Sequence, residues 1–538
     1  MAESDSSSIS TAEHFQLADL FQQTARAIPD RLALVAGTHR ATYAELADRV
    51  RRVGAHLVSS GLEPGDRIGI MGVNSHTWFE TMLGAYWARV VPVNINHRYT
   101  SGEIREVLVD AEVRAFFVAR QLTDVASEAA EGMACARHLV ALGPVDGEGT
   151  LGPAWRPFEE VVSEAPDVEE PTRSGDDLYI LYTGGTTGRP KGVMWRHEDI
   201  FRAALHHGAS PESPADVLGS VSPGRAPWLV TSPLMHGNGQ WNTLSPLISG
   251  HGVVLWTEPH FDPLGVALLA ETEGVLLLVL VGDGMARPFV EAVTGHSRKI
   301  DLTSVKAVAS GGALLSPAVK AELGALVPGA LIVDGFGASE TGANGRLVGE
   351  GSSEGPPRFE MNEFTTVLDG DLVECTPGDG VVGRLARRGP IPLGYWNDEA
   401  KTAETFPTDA NGVRWAIPGD AARIEADGTI SVLGRGSSSI NTGGEKVHPE
   451  EVESVLKAHP DIGDVFVVGV ADERFGQTVA AVMCSRTGEQ PDLESIREFA
   501  RANLAGYKLP RRVAWVEAMG YTAPGKPDYT WAARQLDG

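Results

Sequence analysis

The sequence predicts an α/β protein. A large N-terminal domain of helix-covered parallel sheets carries a small β region, and a smaller α+β domain follows it. Three observations predict this. Strand-like and helix-like stretches alternate over the first 120 residues and again over residues 177–333, as they do when parallel strands are joined by covering helices. Near Gly370 the texture changes to turn signals between short strands, "LDGDLVECTPGDGVVGRLARRG", which predicts antiparallel pairing. The segment "LGRGSSSINTGGEKVHPEE", residues 433–451, then interrupts the pattern with small polar residues and glycines, as a linker does.

Taken in order, "RLALVAG", "DRIGIMG", "VVPVNIN" and "RAFFVA" read as strands. Between them, "YAELADRVRRVGAHL" places Leu46, Val50, Val53 and Leu57 on one helical face. "SHTWFETMLGAYWARV" is a second helical stretch. "LYILY", residues 178–182, is an apolar strand, and "VLLLVLV", residues 275–281, suits a buried strand and is too short to span a bilayer. After the linker a helix starts near Pro449, with Glu450 and Glu451 suited to its positive N-terminal end. Then come the strands "VFVVGV" and "TVAAVMCS", a helix near "LESIREFARANL", and the strand "RVAWVEAM". The expected boundaries are a loose tail over 1–13, a first domain over 14–434, a hinge over 435–440 and a C-terminal domain over 441–538.

Composition narrows the function. Hydrophobic content of 42% with 22% charged residues is that of a globular chain. The net charge of −26 repels nucleic acid and anionic membranes. It repels polyphosphates too, so any nucleotide site must supply its own positive pocket. The N-terminal "MAESDSSSIS" is polar and acidic, without a signal pattern. Cys135, Cys375 and Cys484 have no metal-ligand spacing and read as reduced thiols of a cytoplasmic protein.

The stretch "YTGGTTGRPKGV", residues 182–193, holds seven Gly or Thr residues and Lys191. Bare amides and hydroxyls beside one cation suit an oligophosphate. It is not a Walker A loop, because Pro190 precedes Lys191 and Gly192 follows it, and it lacks the G-x-G-x-x-G spacing. Taken alone, it also fits a glycine-rich surface turn.

"YTGGTTGRPKG" resembles the phosphate loop of the adenylate-forming (ANL) superfamily of acyl-CoA synthetases, peptide-synthetase adenylation domains and firefly luciferase. The resemblance recurs in order. "PLMHGNGQW" resembles the histidine segment beside the acyl pocket, and "SGGALLSP" and "DGFGASETG" the adenine segments. "WAIPGDAARIEADGTISVLGR" resembles the segment with the ribose aspartate and following arginine, and "TAPGKPDY" the C-terminal catalytic lysine motif. It covers nearly all the chain beyond the first dozen residues. "GVMWRHEDI", "GDGMARP" and "GRGSSSINTGGEKVHPEEVE" look most like actinobacterial fatty-acyl-CoA and steroid-side-chain-acyl-CoA ligases.

The resemblance implies an ATP-dependent acyl-CoA synthetase. A carboxylate attacks the α-phosphate of ATP, releasing pyrophosphate, and the thiol of CoA then takes the acyl group, releasing AMP. It implies that Thr183, Gly184, Gly185, Thr186, Thr187 and Lys191 hold the β- and γ-phosphates, with Glu340 and Thr183 at Mg²⁺. Gly311, Gly312, Ala313, Asp334, Gly335, Phe336, Gly337 and Ser339 would complete the nucleotide site, Asp420 would accept the ribose hydroxyls, and Arg435 would reach ribose or phosphate. Lys526 would bridge the acyl carboxylate and the α-phosphate, with Glu340 and His236 completing the catalytic set. His236, Gly237, Gly239, Gly311 and Gly337 would border the acyl group, glycines leaving room for it, although from the residues alone some of these glycines fit turns.

Ser437 would be the hinge between two orientations of a mobile C-terminal domain, one for each half-reaction. Gly443, Gly444, Glu445 and Lys446 would shape the CoA channel, with Lys508, Arg511 and Arg512 near its phosphates. The chain departs from the superfamily at Pro418, where Thr is usual, at Ser437, where Asp or Lys is usual, and at Asn441, where Lys is usual. From the residues alone, Glu340 fits a solvated helix start, Lys526 a surface lysine, His236 a core histidine, and Lys446, Lys508, Arg511 and Arg512 a solvated basic patch.

Two other readings compete. One is an adenylating enzyme that passes its acyl group to a carrier protein or an amine. Twelve residues follow Lys526, so the carrier would be free-standing. The other is a non-catalytic protein that kept the fold, which the joint presence of Lys191, Glu340, Asp420 and Lys526 disfavours. A homodimer is expected by analogy alone.

Overall fold

The computed structural model describes residues 12–143, 151–183, 190–206, 211–221, 225–313, 315–347, 358–435, 440–442, 445–472, 476–501, 504, 506–522 and 526–536. The chain forms two compact units, Met1–Val279 with Pro390–Ala403, and Leu280–Gly389 with Glu404–Gly538.

The first unit holds two parallel sheets and a small antiparallel one. The first sheet runs Val91–Ile95, Arg67–Met71, Val113–Ala119, Leu139–Leu142, Trp155–Pro157, with every pair parallel. Arg67–Met71 and Val91–Ile95 are buried at every position, as strands covered on both faces are. The second sheet runs Leu277–Leu280, Trp228–Val230, Val253–Leu255, Leu32–Ala36 and then His39–Thr42, which alone pairs antiparallel. The small sheet pairs Leu178–Thr183 with Lys191–Arg196 and that strand with Gly394–Tyr395.

The helices predicted between the strands are present. Helix Tyr43–Ser59 starts at a capping box of Thr42 and Glu45 and buries Leu46, Val50, Val53 and Leu57. It packs on helix His76–Trp87, capped by Ser75. Two glycines set that crossing. A Cβ on Gly54 would collide with the Trp87 ring, and one on Gly84 would lie 2.5 Å from Val53 Cγ1.

In the second unit, Ala307–Gly311 and Leu331–Ala338 are parallel. From there the sheet is antiparallel, through Gly342–Leu347, Arg358–Met361, Ile430–Arg435, Asp420–Ile424, Gly383–Arg387 and Thr365–Leu368. The antiparallel region thus begins at Gly342, earlier than the change of texture near Gly370 suggested. The turn after Ala338 is too short for a crossover helix, so the next strand must fold straight back. Residues 440–536 build a separate sheet. Ile462–Asp472 and Gly476–Ser485 form its antiparallel centre, with Arg512–Val516 parallel to the latter. Helices Pro449–Lys457 and Leu493–Arg501 bury Val452, Leu456, Ile496 and Ala500 in its core. The expected hinge residues 436–439 lie outside the described residues.

Gly54→Ala adds a good helix former, worth about 1 kcal/mol by propensity, yet forces a methyl into the Trp87 ring. The expected outcome is net destabilisation by about 1–3 kcal/mol, the usual cost of overpacking. Thermal unfolding should show a lower midpoint than wild type. An unchanged or raised midpoint would mean that the two helices separate freely.

Candidate functional site

On the first unit, the glycine-rich stretch joins two antiparallel strands. Thr183 ends one strand and Lys191 opens the other as its register partner. Lys191 therefore stands at the mouth of the loop rather than within it. Gly184, Gly185, Thr186 and Thr187 lie outside the described residues. Lys191 Nζ donates to Asp398 Oδ2 at 2.6 Å and lies 5.7 Å from the Tyr395 ring centre. The hydrogen bond from Lys191 holds the Asp398 carboxyl below the usual carboxylate range. Asp398 carried no signal in the sequence.

Asn94 was also missed. Its buried side chain donates to Tyr182 O at 2.8 Å and Met235 O at 2.7 Å and accepts from Tyr182 N at 2.9 Å. It ties the strand entering the loop to the residue before His236. His236 is the N-cap residue of helix Gly237–Ile248, and its N–H donates to Pro233 O at 3.0 Å. The glycines beside it are already filled round. A Cβ on Gly237 would lie 2.8 Å from Leu181 Cδ2, and one on Gly239 would collide with Pro233 O. Contrary to the sequence reading of open space for an acyl group, backbone packing requires the glycine at 239, and at 237 the space is taken by the end of the Leu181 side chain.

On the second unit, the nucleotide-segment residues converge at the carboxyl ends of two parallel strands, where ligands of open α/β sheets bind. Ser310 and Gly311 register with Asp334 and Gly335. Phe336 and Gly337 continue that strand. Gly337 serves the hairpin, since a Cβ there would collide with Gly342 O, so the space attributed to an acyl group is occupied there too. Ser339 and Glu340 sit in the turn before Gly342, where the Thr341 hydroxyl accepts from Ala338 N at 3.1 Å. Glu340 thus lies in a hairpin turn, not at a helix start. Burial pushes the Asp334 carboxyl up to about 7, against the pull of Lys320.

Asp420 is buried at the start of its strand and is the register partner of Arg435, so both ribose candidates face one ladder position. The side chains of Arg435, Glu445 and Lys446 are outside the described residues, as are Ser437, Gly443 and Gly444. Lys508, expected near CoA phosphates, donates to both oxygens of Glu451 at 2.6 and 2.7 Å.

Lys526 closes a tight loop. Thr522 N donates to Lys526 O at 2.7 Å, Lys526 N donates to Thr522 Oγ1 at 3.2 Å, and Tyr521 bridges Pro527. The side chain is exposed and reaches the adenine-segment turn. A Cβ on Gly312, whose φ is +88°, would stand 4.0 Å from Lys526 Cε. The structure thus brings Lys526 to the turn at Gly312.

A buried ionic chain underlies this approach. The Tyr521 hydroxyl donates to Asp464. Asp464 Oδ1 lies 3.0 Å from Lys457 Nζ, which lies 3.5 Å from Asp283 Oδ2. Asp283 Oδ1 accepts Ser316 N at 2.7 Å, just past the Gly312 turn. Burial opposes the Lys457 charge, but Asp464 and Asp283 outweigh it and raise its pKa. Glu450 departs from the sequence reading of a charged helix start. Burial pushes its carboxyl up to about 7, Asp420 adds to the effect, and the side chain lies where any Cβ on Gly434 would fall.

Two family models match the chain. Residues 21–396 match the AMP-binding enzyme family, and residues 451–526 match the AMP-binding enzyme C-terminal domain. The chain is 40% identical over 535 residues to a 3-oxocholest-4-en-26-oate–CoA ligase of Rhodococcus rhodochrous, covering 96% of this chain and 95% of that one. It is 42% identical over 529 residues to a medium/long-chain-fatty-acid–CoA/3-oxocholest-4-en-26-oate–CoA ligase of Mycolicibacterium smegmatis, covering 96% and 95%. Its fold is similar to that of an anthranilate CoA ligase, AuaEII, solved with anthranoyl-AMP, with a TM-score of 0.80, 20% identity and 98% of each chain covered.

Lys457→Met leaves Asp464 and Asp283 buried without their cation. The expected cost is about 3–5 kcal/mol, the usual result of breaking a buried pair, read as a lower thermal midpoint; wild-type stability would show that the network carries no load. The raised Asp334 pKa gives a pH test. A carboxyl raised from about 3.9 to about 7 contributes stability in full below pH 4 and loses it as the pH rises through 7. Asp334→Asn should therefore be more stable than wild type at pH 8, by on the order of 2–4 kcal/mol. That advantage should vanish near pH 4. A pH-independent difference in midpoint would refute the burial of a titrating carboxyl here.

Proposed function

We propose residue roles and an acyl preference for a chain that belongs to the AMP-binding enzyme family and is an ATP-dependent, AMP-forming acyl-CoA ligase. The observation that carries the roles is the approach of the Lys526 side chain to the Gly312 turn. The first half-reaction brings two anions together, a carboxylate and a polyphosphate, on a protein of net charge −26. A fixed ammonium at the meeting point neutralises both and holds them in line.

In this reading Lys526 bridges the acyl carboxylate and the α-phosphate. A carboxylate oxygen forms a bond to the α-phosphorus, the bond to the bridging oxygen breaks, and pyrophosphate leaves. Thr183, the loop residues after it and Lys191 hold the departing phosphates, Lys191 exchanging Asp398 for phosphate. Asp420 accepts the ribose hydroxyls, and Asp334 to Gly337 with Gly311 to Ala313 flank the base. Glu340 offers a carboxylate oxygen at the hairpin turn and Thr183 a hydroxyl. Both are hard donors that suit Mg²⁺, which would screen the phosphate charge when bound. The CoA thiol then attacks the acyl carbonyl and AMP departs. Ser437 is the hinge that reorients residues 441–538 between the two steps, and Gly443 to Lys446 line the thiol's path.

The acid is a medium- or long-chain fatty acid or a steroid side-chain acid, by likeness to relatives about 40% identical over nearly the whole chain. No helix among the described residues is long and apolar enough to cross a membrane, and the enzyme is read as cytoplasmic. Homodimerisation and a free-standing carrier acceptor are the remaining partner proposals.

The test is acid-dependent pyrophosphate release with ATP and Mg²⁺ over short, medium, long, aromatic and steroid side-chain acids, each with and without CoA. Thioester formation with long and steroid acids is the expected result. Adenylate that accumulates with CoA present, without thioester, would point instead to a carrier or amine acceptor. Lys526→Ala should lower adenylation by on the order of 10²–10³-fold while leaving thioester formation from supplied acyl-adenylate nearly intact. Equal loss in both steps would refute the assigned role.

A further inference from the structure

We propose that His39, His76 and Glu80 form a site for one divalent transition ion, zinc by its ligand chemistry, apart from the nucleotide chemistry. The three residues come from two elements of the first unit. His39 opens the edge strand His39–Thr42, His76 opens the helix His76–Trp87, and Glu80 follows one turn along the same helix. One ligand atom from each lies within 4.8 Å of the others.

The arrangement converges on one oxygen. His76 Nδ1 is 3.2 Å from Glu80 Oε1 and His39 Nε2 is 3.7 Å from the same atom. The second distance is too long for a hydrogen bond. His39 Nε2 is buried and has no hydrogen-bond partner among the described residues. The two imidazoles stack with ring centres 3.8 Å apart and 8° between their planes, so binding requires one ring to turn out of the stack until both lone pairs point at one ion. Two ligand atoms of one tetrahedral zinc ion stand roughly 3.3 Å apart, close to the 3.2 and 3.7 Å separations from Glu80 Oε1 found here.

The ligand set suits zinc. Two imidazole nitrogens and one carboxylate oxygen are the three-ligand set that leaves a fourth, open position for water. Imidazole selects against Mg²⁺ and Ca²⁺, which take oxygen ligands. Glu80 is fully buried, and Arg49 Nε donates to both its oxygens at 2.9 Å. Arg49 also donates to the two oxygens of Glu159 at 3.0 and 2.8 Å. That leaves Glu80 oriented and still able to accept, since a carboxylate has about four lone-pair positions. Ligating carboxylates are ordinarily held by such outer hydrogen bonds. Counting Glu80, Glu159 and Arg49, the surroundings carry one excess negative charge. The His39 and His76 side chains remain 25% and 20% exposed, which gives an ion a way in. Bound there, the ion would clip the edge strand to the helix that packs on Tyr43–Ser59, and its binding energy would add to folding.

The test uses the full chain, stripped with chelator, desalted, and titrated with zinc chloride in millimolar Mg²⁺ so that oxygen-only sites are filled. The expected result is one equivalent of zinc retained after desalting, with a raised thermal midpoint. Cobalt(II) should give the intense visible absorption of four-coordinate nitrogen and oxygen ligation. His39→Ala and His76→Ala should each weaken binding by at least about tenfold, and the double variant should lose both the equivalent and the midpoint shift. The chain has 15 histidines, so zinc retained equally by the double variant would be adventitious and would overturn the proposal. So would no retained zinc in wild type. If an alanine variant does not fold, His39→Gln and His76→Gln take its place and are judged by the same stoichiometry.

Discussion

A buried lysine ammonium, Lys457, is the constraint on which the second unit's site depends. Taking such a charge out of water costs several kcal/mol, and the cost is met only if partners are fixed in place. Asp464 and Asp283 are those partners, and each holds a second group. Asp464 accepts from Tyr521 at the base of the Lys526 loop, and Asp283 accepts from Ser316 after the Gly312 turn. The two segments that face one another are therefore suspended from a single ion. A hydrophobic contact would tolerate sliding of one segment past the other. A desolvated ion pair tolerates little, because each displacement leaves a buried charge unmatched.

The first unit solves its charge problem differently. Lys191, the lysine proposed to meet phosphate, is not buried, and its partner Asp398 is a partly exposed carboxylate. Pairs of that kind contribute little net stability, so Lys191 can leave Asp398 for a better anion at small cost. The ordering comes instead from neutral hydrogen bonds. Asn94 satisfies both backbone groups of Tyr182 and the carbonyl of Met235, fixing the strand that enters the loop against the segment that carries His236. One unit thus immobilises its lysine loop through a buried charge, the other keeps its lysine exchangeable on an immobile frame.

Much of this frame was legible in the sequence. Alternating strands and amphipathic helices announced the parallel sheets, because periodicity reports directly which face is buried. Leu46, Val50, Val53 and Leu57 are a case in point. Membership of the AMP-binding enzyme family was legible as ordered motifs. Two kinds of fact were not. The start of the antiparallel region at Gly342 was hidden because Ser339 to Thr341 read as part of a motif rather than as a turn. The ionic chain was hidden because Lys457, Asp464 and Asp283 are residue types that usually face water, and nothing in their spacing says otherwise. The glycines misled for a related reason. Sequence shows where a side chain is missing but not what fills the space, and at Gly237, Gly239 and Gly337 it is the protein's own atoms.

The helix Pro449–Lys457 joins these observations. Its apolar face, Val452, Val455 and Leu456, lies in the C-terminal core, which fixes its rotation but not its position along its axis. The ends do that. At its C-terminus Lys457 lies between Asp464 and Asp283, where a cation is also favoured by the helix dipole. At its N-terminus Glu450 presses its carboxyl against Gly434, the residue before Arg435, in space that only a glycine leaves. Because Asp420 is close, two charged carboxylates there would repel in a medium with little water to screen them. Glu450 keeps its proton up to about pH 7, forgoing the dipole's favour for an anion in exchange for relief from desolvation and repulsion. A nine-residue helix is thus pinned at one end by a charge it must keep and at the other by a charge it largely gives up, and the second end abuts the strand that carries Asp420's partner.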